Sequence, residues 1–278
     1  MKRKSPALLP LLLFCLLFVI LPVLYVVILS FLVKDVTWGV RQEFTLENYK
    51  KIFDPVYLKT FAASLKIAFW TTLLSGLIGY PFGYLAARLP ARRKKLLLFF
   101  LAVPFWTNGL IRIYGWMTLL RSNGIISKIL VSIGLKPLEI LYTTPAVVIG
   151  TVYALFPMMA LAVYSSAQKL DFSLLEAAQD LGAGRWKSFF TISFPLTLPG
   201  LLSGFVFVFV PSVGLFFISD LLGGGKIMLV GNLIAAQLSR SRNLPFGAAL
   251  SVVLMLLMLL IIALYRKISG TKDLEGLL

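Results

Sequence analysis

The chain has no histidine and a single cysteine, Cys15. With no second thiol it forms no internal disulfide, and metal centres built on Cys or His are excluded. Acids are scarce too: 11 Asp and Glu stand against 27 Lys and Arg. Charged residues are 14% of the chain, where soluble domains carry roughly 25%. The longest polar stretch, residues 34–66, is too short to build a catalytic core of its own. A nucleotide-binding P-loop is missing as well. Gly223-Gly224-Gly225-Lys226 has glycines and a lysine, but at the wrong spacing and with Ile227 where Ser or Thr is needed. If ATP drives this protein, another chain hydrolyses it.

What remains is apolar: 59% of the residues are hydrophobic and the mean hydropathy is +0.92. The bilayer sets the fold of such a chain, because each spanning segment must satisfy its backbone internally. Six apolar runs are long enough to cross: 5–33, 67–87, 96–120, 140–168, 191–219 and 246–265. The first is about twice a signal-peptide core and lacks a small-x-small cleavage site, so it reads as an uncleaved span. The net charge of +16 suggests nucleic acid in a soluble protein; here the cations sit at span ends, where the positive-inside rule explains them. Arg88, Arg92, Arg93, Lys94 and Lys95 fall within eight residues and hold that loop in the cytoplasm. The reading is an all-α membrane protein of six transmembrane helices, with both termini cytoplasmic. Residues 1–66 form the first helix and an outer loop, 67–265 a five-helix transport core, and 266–278 a cytoplasmic tail.

Within the core, Gly76, Gly79 and Gly83 recur at three and four residues and offer a face for close helix packing. The fifth run carries Pro195, Pro199 and Pro211 with Gly200, Gly204 and Gly214, which predicts a discontinuous helix. Short surface helices are expected near residues 44–49, 125–133 and 231–242. Arg112 lies seventeen residues past Lys95; on an unbroken helix that is roughly 25 Å, near the outer interface, where it can snorkel.

The stretch that organises the chain is 171–200, DFSLLEAAQDLGAGRWKSFFTISFPLTLPG. Ser173 and Glu176 have the spacing of a capping box. Gly182 stands where a helix ends in a left-handed residue, and a second short helix, roughly 185–192, precedes Pro195. Two short helices joined at a glycine bend make a knob suited to a partner's groove.

Glu176, Ala177, Ala178, Gly182, Ile192 and Pro195 resemble, in type and spacing, the EAA loop of bacterial ABC importer permeases; Phe194 stands where that family usually has Leu. The segments 104–108, 112–115, 175–182, 219–224 and 245–249 resemble the spermidine/putrescine branch. The resemblance implies a type I ABC importer permease fold and a multi-pass place in the bacterial inner membrane. It makes residues 171–192 the coupling loop. It also implies a sister permease completing a heterodimer, a cytoplasmic ATPase dimer and an extracytoplasmic polyamine-binding protein. Membrane lipid surrounds the chain; no nucleic acid is involved and no cofactor belongs to this chain. A polyamine pathway needs acids, carbonyls and aromatic faces. Asp220 is the only acid between Asp180 and the tail. It lines the outer mouth with Trp106, Asn108 and Tyr114, or else caps a helix or pairs with Arg112 or Arg240. The competing cargo for the same permease class is an oxyanion, ferric ion or thiamine. A channel or secondary carrier fits poorly, since the spans hold no ion-coupling acids.

Overall fold

The computed structural model describes residues 8–35 and 39–269. The start of the first apolar run, residues 5–7, and most of the cytoplasmic tail, residues 270–278, lie outside them. In chain order the helices are α1 (Leu8–Cys15), α2 (Leu21–Ser30), α3 (Glu47–Ile52), α4 (Pro55–Arg88), α5 (Ala91–Ala102), α6 (Gly109–Leu119), α7 (Ile125–Ser132), α8 (Thr144–Ala167), α9 (Ser173–Asp180), α10 (Arg185–Ser188), α11 (Phe194–Gly214), α12 (Phe216–Gly223), α13 (Val230–Ser239) and α14 (Leu244–Ser269). A hairpin of β1 (Leu32–Lys34) and β2 (Val40–Phe44) follows α2. Five helical stretches are long and apolar enough to cross a membrane: Leu13–Ser30, Pro55–Arg88, Thr144–Ala167, Arg185–Gly214 and Leu244–Lys267. Counted as one span, the pair Ala91–Trp106 and Gly109–Leu119, bent by 96°, brings the number among the described residues to six.

The chain divides into two compact units. The first joins Met1–Phe61 to Val230–Ile261. Its N-terminal helix is apolar on every side and exposed from Leu13 to Tyr25, as suits contact with lipid. Where that helix ends, Asn48 donates to the carbonyls of Ser30 and Leu32 at 3.1 and 2.9 Å and secures the hairpin. The strands pair Leu32 with Phe44 and Lys34 with Val40, with a bulge between Leu32 and Val33. Ile52, Phe61, Val230, Leu233, Phe246, Ala249 and Leu250 form this unit's core.

The second unit, Ala62–Leu229 with Ile262–Leu278, carries the remaining spans. Here α4 and α11 close on α8 through their glycines. A Cβ on Gly79 would stand 2.6 Å from the Met159 side chain, and one on Gly83 would stand 2.6 Å from the Ala160 carbonyl oxygen. A Cβ on Gly200 would meet Ser166 at 2.3 Å. Two hydrogen bonds lace α4 to α11: Tyr80 Oη with Thr197 Oγ1 at 2.8 Å, and Tyr84 Oη with Ser193 Oγ at 2.9 Å. They satisfy hydroxyls that apolar surroundings otherwise leave costly.

Three expectations change. The helix of the second span starts at Pro55, about three turns before the apolar run begins at Ile67, because Pro at N1 starts a helix whatever the hydropathy that follows. The fifth span is unbroken through Pro195 and Pro199. A π-turn, Phe189–Ser193, precedes it, in which the Phe194 amide reaches the Phe189 carbonyl. That wider turn accommodates Pro195, which has no amide to donate. The discontinuity falls instead at Leu215, between α11 and α12. The third span is not straight, so seventeen residues do not measure the depth of Arg112.

Candidate coupling loop and pathway

The loop between α8 and α11 begins at an aspartate. Asp171 Oδ1 accepts from the Ser173 amide at 3.0 Å, and Ser173 itself makes no capping bond to Glu176. The cap is therefore two residues earlier than the capping-box spacing predicts. The Ser173 hydroxyl and amide both bond the Asp171 carboxyl and hold its pKa below the ordinary carboxylate value. Since the folded value is the lower one, the cap's contribution is complete above pH ~4 and disappears as pH falls through the folded pKa. We expect the melting temperature of the purified permease to exceed that of D171A by a constant margin from pH 7 to pH 5. Below pH ~4 that margin closes, whereas D171N, a neutral cap, shows a pH-independent offset from D171A.

The loop's glycine bend forms as its spacing predicts. The Gly182 amide donates to the Gln179 carbonyl at 2.9 Å and the Ala183 amide to the Ala178 carbonyl at 3.0 Å. These are the two bonds of a Schellman motif, and Gly182 takes the left-handed conformation it requires, with φ of 84°. Leu175 is the anchor. It is buried with Tyr84, Ala87, Ala167 and Leu170, and Ile192 packs against the same cluster. The other apolar residues turn outward. Leu181 is 90% exposed and Trp186 77%, with Leu174, Ala177 and Phe190 exposed beside them. A loop that is apolar on both faces has one face for its own body and one for something else. Pro195 is exposed at the start of α11.

Glu176, released from the capping role, lines a polar cavity of about 590 Å³ together with Arg88, Gln179 and Arg185. Arg88 lies over the rings of Tyr84 and Phe172, at 5.1 and 5.0 Å from their centroids. Sequence reasoning missed this grouping and missed Trp186. Arg88 comes from the end of α4, far away in the chain, and only its place in the cytoplasmic basic run signalled it.

Of the four residues named for the outer pathway, Asn108 and Tyr114 belong to α6, Asp220 to α12, and Trp106 to the turn before α6. Asn108 caps α6, its Oδ1 accepting from the Leu110 amide at 2.8 Å. Asn108, Ile111, Tyr114, Gly115 and Thr118 form one exposed stripe along α6, at helical spacing. Trp106, just before the bend, is 75% exposed. Asp220 is exposed on α12, beside Ile218 and Leu222, which pack in the same core cluster as Ile113 of α6. Thr118 joins this stripe although the sequence reading passed over it. Arg112 lies on another side of α6, against Phe105 and Tyr153.

Apolar spans around a protruding two-helix loop define a membrane component of a transport system. The chain belongs to the family of binding-protein-dependent transport system inner membrane components, which matches residues 79–270. It is thus a multi-pass protein of the inner membrane. Among its relatives, the spermidine/putrescine transport system permease protein PotB of Escherichia coli (strain K12) is 45% identical over 255 residues, covering 91% of this chain and 93% of its own. The protein of the same name from Haemophilus influenzae is 44% identical over 252 residues, covering 90% and 88%. A bacterial alginate ABC transporter, crystallised in complex with an alginate pentasaccharide-bound periplasmic protein, has a chain that superposes with a TM-score of 0.78 at 16% identity, over 96% of this chain and 93% of that one. That likeness establishes the type I permease fold.

Proposed function

We infer that this chain is the membrane-spanning permease subunit of an ATP-driven importer that moves polyamines, spermidine and putrescine, into the cytoplasm. The observation that carries the reading is the 45% identity along nearly the full length of both chains to a spermidine/putrescine permease. The partners follow from the reading: a sister permease, a pair of ATPase subunits and an extracytoplasmic binding protein that delivers the polyamine.

In this account residues 67–265 are the transport core, and the loop around Glu176, Ala177, Ala178, Gly182, Ile192 and Pro195 couples it to the ATPase. The exposed Leu174, Leu181 and Trp186 enter an apolar groove of the ATPase, while Leu175 and Ile192 transmit its movement to α4 and α8. Because α10 runs through the π-turn into α11 without a break, a push on the loop moves the fifth span as one lever. Closure of the ATPase pair opens the outer mouth, and hydrolysis restores the inward-facing state. Coupling of this kind rests on contacts that differ in free energy between the two states. Trp106, Asn108, Tyr114 and Asp220 line the pathway. The tryptophan and tyrosine offer ring faces to ammonium groups, and the aspartate offers a charge.

The test is uptake of labelled spermidine by cells lacking this chain, before and after its return, with unlabelled putrescine in excess as competitor. We expect uptake to depend on the chain and putrescine to compete. Spermidine uptake indifferent to the chain overturns the cargo and leaves the family assignment standing.

A further inference from the structure

Beside its exposed stripe, α6 carries a cation in an apolar setting. The Arg112 guanidinium lies 5.1 Å from the centroid of the Phe105 ring and 6.0 Å from that of Tyr153. Its Nε is buried and, among the described residues, has no hydrogen-bond partner. The three side chains border a cavity of about 490 Å³ walled further by Phe82, Phe100 and Phe156, with leucines and prolines completing it. Among the described residues, no carboxylate lines this cavity. A charge inside a membrane protein ordinarily pairs with an opposite charge or faces water, because removing it from water is costly. Here aromatic faces stand in the place of an acid.

That lining takes a cation by its ring faces, and nothing in it is shaped to a guanidinium rather than to an alkylammonium. A guanidinium has five N–H donors in a fixed plane, and this seat leaves the Nε donor idle. An ammonium on a methylene chain concentrates its donors at one atom. Its methylenes lie against leucine and proline, and its charge against the rings. The Arg112 guanidinium lies against these rings, so the seat is occupied by a cation whenever nothing else fills it.

We propose that this aromatic cavity is a transient seat for one ammonium group of the transported polyamine, and that Arg112 is a tethered competitor for the seat. The proposal rests on the polyamine reading and adds a site and a role to it. An incoming ammonium displaces the guanidinium, since two cations cannot share the same rings. The guanidinium returns and expels it. Occupancy is thereby kept brief, which suits a permease that must release what a binding protein has captured.

The experiment uses the whole importer in cells, with spermidine uptake measured over a range of concentrations. In every variant, the sister permease and ATPase that co-purify with this chain are quantified. With the competitor removed, R112Q lowers KM about fivefold and lowers Vmax as well, because release slows. R112K, which keeps a tethered cation, holds KM within about twofold of the natural chain. F105L removes a ring face and raises KM. An assembled R112Q complex with an unchanged or raised KM overturns the proposal. So does loss of the sister permease in R112Q but not in R112K, the mark of an ion pair with a carboxylate of that subunit. If neither Arg112 variant assembles, F105L decides: a raised KM supports the seat and an unchanged one overturns it. If the natural chain moves no spermidine, the polyamine reading falls first, and its failure is seen before any variant is compared.

Discussion

Replacing Gly83 by alanine is expected to cost the permease about 3 kcal/mol, while the same replacement at Gly214 costs nothing. Both positions are helical, so removing a glycine by itself favours each helix by roughly 0.5–1 kcal/mol. The difference lies in what the new methyl meets. At Gly83 it stands 2.6 Å from the Ala160 carbonyl oxygen, 2.9 Å from the Tyr164 amide nitrogen and 2.9 Å from Val163 Cβ. Two of these are backbone atoms of α8 and cannot rotate away. Helix α4 must then withdraw, and the Tyr80–Thr197 and Tyr84–Ser193 hydrogen bonds to α11 stretch with it. At Gly214 a methyl meets nothing within 4 Å. Thermal unfolding of the two purified variants in one detergent separates the cases. G83A should melt roughly 5–10 °C lower, and G214A at or slightly above the natural chain. Equal melting temperatures overturn the claim that backbone approach, rather than glycine content, sets α4 against α8.

Those glycines were legible in the sequence because a spacing of three and four puts residues on one helical face whatever surrounds them. The spans were legible for a similar reason, since a bilayer imposes a length that hydropathy reports directly. Features that depend on a few local atoms were not. The run from residue 96 to 120 is apolar enough on average to read as one span, and hydropathy does not reveal that Asn108 caps a new helix after a 96° turn. Pro104 and Asn108 were the available signal, and the bend they mark sets Arg112 against the rings of Phe105 and Tyr153. In the loop between α8 and α11, Ser173 and Glu176 fit a capping box. Asp171 fits a cap as well, and as a carboxylate it is the stronger acceptor for the first free amides. The prolines of the fifth span misled for the opposite reason. A proline breaks a helix only where its missing donor and its ring are not accommodated, and the π-turn before Pro195 accommodates both. The association of Glu176 with Arg88 and Arg185 was illegible because it joins residues from different helices, and one sequence carries no record of such proximity.

Replacing Gly182 by valine is expected to lower uptake tenfold or more while the permease inserts and melts as the natural chain does. Gly182 holds φ at 84°, where a residue with a Cβ is strained by about 1–2 kcal/mol and a β-branched one by more. No atom lies within 4 Å of where that Cβ would be, so the strain comes from the backbone alone, not from a clash with the body of the protein. The loop relieves it by leaving the left-handed conformation. The amides of Gly182 and Ala183 then lose the carbonyls of Gln179 and Ala178, and α9 and α10 change their angle. Leu181 and Trp186, on either side of the bend, no longer present one surface. Leu175 still holds the loop to the body, so the damage stops at the face turned to the partner. A coupling free energy is commonly 1–3 kcal/mol, so a loss of this size is enough to abolish most transport. Asparagine tolerates the left-handed conformation, so G182N should retain most uptake where G182V does not. The measurement is spermidine uptake beside the amount of chain in the membrane and its melting temperature. Normal uptake by G182V removes the glycine bend from the coupling mechanism. Loss of uptake by G182V and G182N alike assigns the effect to the bulk of any side chain at the docking face instead of to the shape of the turn.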